Sequence, residues 1–187
     1  MSIRGSDEDA EAVSSSTTEE LKETPFLPVV YMITPTYTRQ TQKADLTRLC
    51  FTLMHVPKIH WIVVEDSDER TSLVTELLSG KNSCKLPRIT HLEKRTRKYM
   101  RPEAAVNKGK PRNRLVRGGD QRNAGIRWLR DMASKGLLED QKGHTNDVEG
   151  VIYFGDDDNT YDVRLFEQVH YIATYLTHQC GISQLAT

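Results

Sequence analysis

Three consecutive carboxylates, Asp156-Asp157-Asp158, follow directly on the apolar run Val151-Ile152-Tyr153-Phe154-Gly155. Carboxylates at the end of a buried strand repel one another unless a cation or hydrogen-bond donors compensate them. A divalent ion of the Mg²⁺ or Mn²⁺ kind meets that need, because such ions take oxygen ligands and bridge one or two protein carboxylates to a diphosphate. One aspartate would then hold metal while its neighbours accept hydrogen bonds from a ribose or a base. A solvated acidic turn is the competing reading of the same triplet.

The basic residues offer a complementary chemistry. Arg117 and Arg122 bracket Gly118-Gly119-Asp120-Gln121 at the start of a helical pattern, a place where helix amides and guanidinium groups together hold diphosphates. Read singly, Arg122 and Arg127 are ordinary solvated helix residues. Tyr37 lies in a loop after an apolar run, where its ring either stacks on a base or packs with a polar tip. Asp66 ends another such run and either accepts the imide N–H of a base or caps the next helix. Residues 94–117 hold ten lysines and arginines with Tyr99 as their one aromatic. They fit an anion-attracting loop over a phosphate site better than a platform for single-stranded nucleic acid, which needs stacking groups; a solvated insertion is the plainer alternative. His60, His91, His144, His170 and His178 show no pair at metal-ligand spacing, and no serine or cysteine sits in a nucleophile-elbow context, so hydrolase chemistry has no support.

These residues need a scaffold, and the pattern supplies one. Pro28 to Ile33 is an apolar run of strand length, which Thr34-Pro35-Thr36-Tyr37 is expected to stop because proline lacks a ladder donor. Ala44, Leu46, Leu49, Cys50 and Leu53 fall at helical spacing before Pro57. Ile59 to Val64 reads as a second strand, Leu73 to Leu78 as a helix closing at Gly80, and Arg88 to Leu92 as a weaker third strand. A helix from the glycine pair to about Ser134, the strand Val151 to Phe154, turn or cap residues at Asn159 and Thr160, and a helix through Phe166 complete the series. Strands alternating with helices predict an α/β, Rossmann-like fold with a mostly parallel sheet, whose ligand lies beyond the carboxyl ends of the strands. Pro35-Thr36-Tyr37, Asp66 and the aspartate triplet all fall at such ends.

The bulk numbers narrow the classes. A chain of 187 residues suits one core. Its 26 Lys and Arg balance 26 Asp and Glu, so no whole-molecule field draws in nucleic acid or an anionic membrane. Residues 1–27 are acidic, rich in Ser and Thr, and read as a disordered arm. No apolar run approaches a membrane span, and no signal segment is legible. Cys50, Cys84 and Cys180 are odd in number and lack the pairing of a zinc site or disulfide framework, leaving the redox compartment open.

Four motifs in order, Tyr31-Met-Ile-Thr-Pro-Thr-Tyr37, Trp61-Ile-Val-Val-Glu-Asp66, Asp120-Gln-Arg-Asn123 and Val151-Ile-Tyr-Phe-Gly-Asp-Asp-Asp-Asn-Thr-Tyr161, resemble the β-1,3-glucuronosyltransferases of glycosyltransferase family 43. The resemblance spans about residues 28–168, a UDP-sugar-binding domain, with 169–187 as a divergent tail. It implies UDP-glucuronic acid as donor, Mn²⁺ as cofactor and a galactose-terminated proteoglycan linkage glycan as acceptor, with inversion at the anomeric carbon. It implies Pro35, Thr36, Tyr37 and Asp66 around uridine, Arg117 and Arg122 toward phosphate and sugar, Asp156 and Asp157 on the nucleotide, and Asp158 on the metal. It further implies a homodimer on the lumenal side of the Golgi membrane, although no anchor is read in this sequence. Family members continue into a second half that supplies the acceptor site, a general-base glutamate and a diphosphate-binding histidine; none is recognised here, and Glu167 matches no such position. The chain is therefore expected to carry the leaving-group half of the reaction. Alternatives are an inactive UDP-binding fragment or splice form and, remotely, a nucleic-acid module using the basic loop.

Overall fold

The computed structural model describes residues 27–81, 84–97, 118–138 and 150–180. Residues 1–26 of the expected arm, most of the basic stretch with Arg117, and the last residues of the tail lie outside them. The described elements run β1 (Val29–Thr36), α1 (Gln42–Leu53), β2 (Ile59–Glu65), α2 (Ser72–Leu78), β3 (Ile89–Glu93), α3 (Gly119–Ser134), β4 (Gly150–Phe154) and α4 (Val163–Cys180).

The four strands form one parallel sheet in the order β3-β2-β1-β4. Both faces are covered, which is why β1 and β2 are apolar at nearly every position rather than alternately. Val30, Met32, Trp61 and Val63 pack with α1, α2 and Phe166 of α4. Tyr31, Ile33, Ile62 and Val64 pack on the opposite face with Leu129 of α3. This is the expected α/β, Rossmann-like arrangement. The strand order steps outward from β1 to β3 and then returns to β4 on the other side. The crevice where that direction reverses, between the carboxyl ends of β1 and β4, is where such sheets bind ligands.

Two expectations are corrected. β1 does not stop before Pro35 but continues to Thr36, with Pro35 opposite Val64. The Ile33 carbonyl faces β4 and accepts from Gly155 N at 3.2 Å. Pro35, two residues on, faces the same side just beyond the end of β4 at Phe154, so its missing N–H costs no ladder bond. The second correction is that Cys50 and Cys84 form a disulfide with Cα atoms 5.8 Å apart. They lie 34 residues apart in sequence, and only the packing of α1 beside the approach to β3 brings them together. Among the described residues no helix is long and apolar enough to cross a membrane.

Candidate functional site

β1 and β4 end side by side, and their last residues are tied together. Thr36, buried at the end of β1, donates from Oγ1 to Asp157 Oδ2 at 2.6 Å and accepts from Gln42 Nε2 at 3.1 Å. The other carboxylate oxygen of Asp157 is 2.8 Å from Arg39 Nη2, leaving Asp157 only 4 % exposed with both oxygens satisfied. Arg39 also pairs with Asp45 of α1 at 2.9 Å, and Arg48 reaches Asp45 at 3.3 Å and the Asp158 backbone carbonyl at 3.1 Å. A hydrogen bond from Thr41, then Arg39 and Arg48, hold the Asp45 carboxyl below the usual range against the opposing effect of burial.

Arg122, in the first turn of α3, forms an ion pair with Asp156, whose backbone carbonyl accepts from Tyr161 Oη at 3.0 Å. Gly118 precedes that turn with φ 78, and a Cβ there would lie 2.7 Å from Arg122 Nη1 and 3.1 Å from Pro35 Cγ. Glycine therefore lets α3 begin against the end of β1. Tyr37 is 41 % exposed, which excludes a core-packing role; one ring face lies 4.8 Å from the Arg39 guanidinium carbon.

Asp66 is joined to β1 by its backbone N–H, which donates to Thr36 O at 2.8 Å. Its carboxylate accepts from Thr96 N and Thr96 Oγ1, both at 2.7 Å. Gln121, buried in α3, steadies that strap by donating to Lys94 O at 2.6 Å and Thr96 Oγ1 at 3.1 Å. Asp66 does not cap α2, whose N-cap residue is Thr71; Glu65 accepts from Thr71 N at 3.1 Å and Thr71 Oγ1 at 2.7 Å just ahead of that helix. Asn159 and Thr160 lie in the turn after the triplet, and Asp162 caps α4 by accepting from Arg164 N at 2.9 Å.

Pro35, Thr36, Tyr37, Asp66, Arg122, Asp156, Asp157 and Asp158 thus gather at one end of the sheet; Arg117 lies outside the described residues. Asp158 is exposed, and among the described residues its carboxylate makes no hydrogen bond or ion pair. No three acidic, histidine or cysteine side chains among the described residues converge as a preformed metal cage. A nucleotide site needs none, since the diphosphate supplies oxygens beside one or two carboxylates. The free Asp158 carboxylate fits that kind of ion.

Sequence reasoning overlooked Gln42, Asp45 and Arg39. The signal was present for the first two: they fall on the buried stripe of α1 with Leu46, Leu49 and Leu53, as polar residues in core positions. Arg39 carries no comparable mark.

The sequence model of glycosyltransferase family 43 matches residues 49–185, a span that runs on past Gln168. Galactosylgalactosylxylosylprotein 3-beta-glucuronosyltransferase sqv-8 of Caenorhabditis elegans is 44 % identical over 142 residues, covering 76 % of this chain and 35 % of that protein. Galactosylgalactosylxylosylprotein 3-beta-glucuronosyltransferase 1 of Homo sapiens is 42 % identical over 146 residues, covering 76 % and 38 %. The corresponding enzyme 2 of Mus musculus is 40 % identical over 162 residues, covering 86 % and 43 %. The chain spans less than half the length of these curated relatives.

Proposed function

We propose that this chain, which belongs to glycosyltransferase family 43, forms the donor-nucleotide site of a glucuronosyltransferase that uses UDP-glucuronic acid and Mn²⁺. The observation that carries the reading is the division of labour within the triplet. Asp157 is consumed in joining β1 to β4, Asp156 is paired with Arg122, and Asp158 presents a free carboxylate at the same crevice.

In this reading Tyr37 offers a ring face to uracil, and Asp66 offers a carboxylate that can accept the imide N–H while Thr96 fixes its plane. Pro35 and Thr36 shape the floor of the crevice, Arg122 stands toward the phosphates and sugar, and Asp156 and Asp157 border the nucleotide; Arg117, outside the described residues, is proposed for the same phosphate-and-sugar role on the family resemblance alone. Asp158 would hold Mn²⁺, which when bound supplies positive charge to the departing diphosphate. Arg122, placed by Gly118 at the mouth of α3, adds a second positive charge beside helix amides.

The acceptor proposed is a terminal galactose of the proteoglycan linkage region, supported by the galactosylgalactosylxylosylprotein acceptor in the relatives' names. A lumenal Golgi setting is supported by the Cys50–Cys84 disulfide, since such bonds persist in oxidising compartments. A homodimer remains part of the proposal. Titrating UDP calorimetrically into the full chain, with Mn²⁺ and with EDTA, tests the site. Mn²⁺-dependent binding that Asp158→Ala removes is expected; equal affinity in both conditions defeats the metal role, and no binding in either defeats the reading.

A further inference from the structure

Two of the three aspartates carry their own cation, and the more confined of those cations is Arg39. Its side chain is 15 % exposed and held from several directions. Nε donates to Thr41 Oγ1 at 3.2 Å, Nη2 lies 2.9 Å from Asp45 and 2.8 Å from Asp157, and the guanidinium sits 4.8 Å from the Tyr37 ring centre. So many restraints on a single arginine, between an aromatic platform and an acidic turn, exceed what strand-to-strand cohesion needs, because Thr36 already joins Asp157 to β1.

We propose that Arg39 is a positioning residue whose charge keeps Asp157 out of the coordination of the divalent ion. The site then offers the ion one protein carboxylate, Asp158, and binds it only together with a nucleoside diphosphate. The inference rests on the nucleotide-and-metal reading above and adds a rule for the order of binding. A lone exposed carboxylate holds a strongly hydrated divalent ion weakly, and the diphosphate oxygens complete its coordination. Two uncompensated neighbouring carboxylates would attract the ion without nucleotide, through direct ligation or field alone. Arg39 removes that second negative charge by pairing with Asp157 inside the protein.

The test measures Mn²⁺ affinity of the full chain by calorimetry and by paramagnetic resonance of free ion, with and without UDP. Arg39→Met retains an aliphatic stem beside Tyr37 and loses the charge. It is expected to bind Mn²⁺ alone about tenfold more tightly than wild type and to bind UDP in saturating Mn²⁺ about tenfold more weakly. Arg39→Lys, which keeps the charge, should bind Mn²⁺ alone as weakly as wild type. A merely structural arginine would lower both affinities together, and that result overturns the proposal.

A second pair guards against misfolding of Arg39→Met. With UDP present, Asp158→Asn should lower Mn²⁺ affinity at least about tenfold, and Arg39→Gln combined with Asp157→Asn, which removes both charges of the pair together, by no more than about threefold. Equal losses would make Asp157 a ligand and sink the idea. If wild type binds no UDP at all, the proposed function fails. The ion-only comparison of Arg39→Met with wild type still decides whether Arg39 masks Asp157.

Discussion

Thr36 and Asp157, 121 positions apart, share a 2.6 Å hydrogen bond that closes the crevice floor between β1 and β4. Thr36→Val keeps the shape and removes the hydroxyl, leaving one oxygen of buried Asp157 and the Gln42 amide without their partner. A loss of about 1 to 3 kcal/mol in unfolding free energy is expected, measured by urea denaturation. Thr36→Ser should restore most of it.

Tyr37 is exposed on its loop and backed by Arg39. Tyr37→Ala should weaken UDP binding by about 1 to 3 kcal/mol if the ring stacks on uracil, by analogy with stacking in nucleic-acid complexes. Tyr37→Phe should change affinity little. Unaltered affinity in both variants, read by calorimetry, excludes stacking.

Gly118→Ala places a methyl group against Arg122 Nη1 and Pro35 Cγ at a position with φ 78. The strain should cost about 1 kcal/mol of stability. UDP affinity should fall by more than that loss explains, because Arg122 must move from Asp156. Calorimetry alongside thermal melting separates the two effects.

The Cys50–Cys84 bond closes a segment of 34 residues between two buried sites. Cys50→Ala with Cys84→Ala is expected to lose about 2 to 4 kcal/mol of stability, and the wild type to lose a similar amount on reduction. Denaturant curves with and without dithiothreitol check this: the double variant should not respond to the reductant.

Burial, with a smaller contribution from the Arg88 charge, pulls His60 down to about 4. An unfolded histidine titrates near 6.5, so between these values the folded chain binds fewer protons than the unfolded one. The stability contributed by neutral His60 is therefore complete above pH of about 6.5 and is lost as pH falls toward 4. His60→Gln, which can still bond Thr90 Oγ1, should flatten this part of the stability profile by about 1 to 3 kcal/mol. His91 and His170, also lowered mainly by burial, keep a residual slope of the same sign. Urea midpoints from pH 4 to 8 measure it.

Residues Tyr171, Ile172 and Tyr175 of α4 are exposed among the described residues, although their spacing in sequence is that of a helix with apolar positions. What the sequence determined by itself was local: apolar runs of strand length, helical periodicity from Leu46 to Leu53, and the placement of Tyr37, Asp66 and the triplet just beyond strands. Those follow from near-neighbour sterics and periodic burial, which are written residue by residue. What only the tertiary structure decided depends on distant partners. Pro35 could extend β1 because β4 ends one step earlier on that side. Cys50 met Cys84 because two elements pack together, not because of their spacing. The separate fates of Asp156, Asp157 and Asp158 are the clearest case. By residue type and periodicity they are equivalent, and only the family resemblance set Asp158 apart; their partners differ because folding gives Asp157 Thr36 and Arg39, gives Asp156 Arg122, and leaves the Asp158 carboxylate unpaired among the described residues.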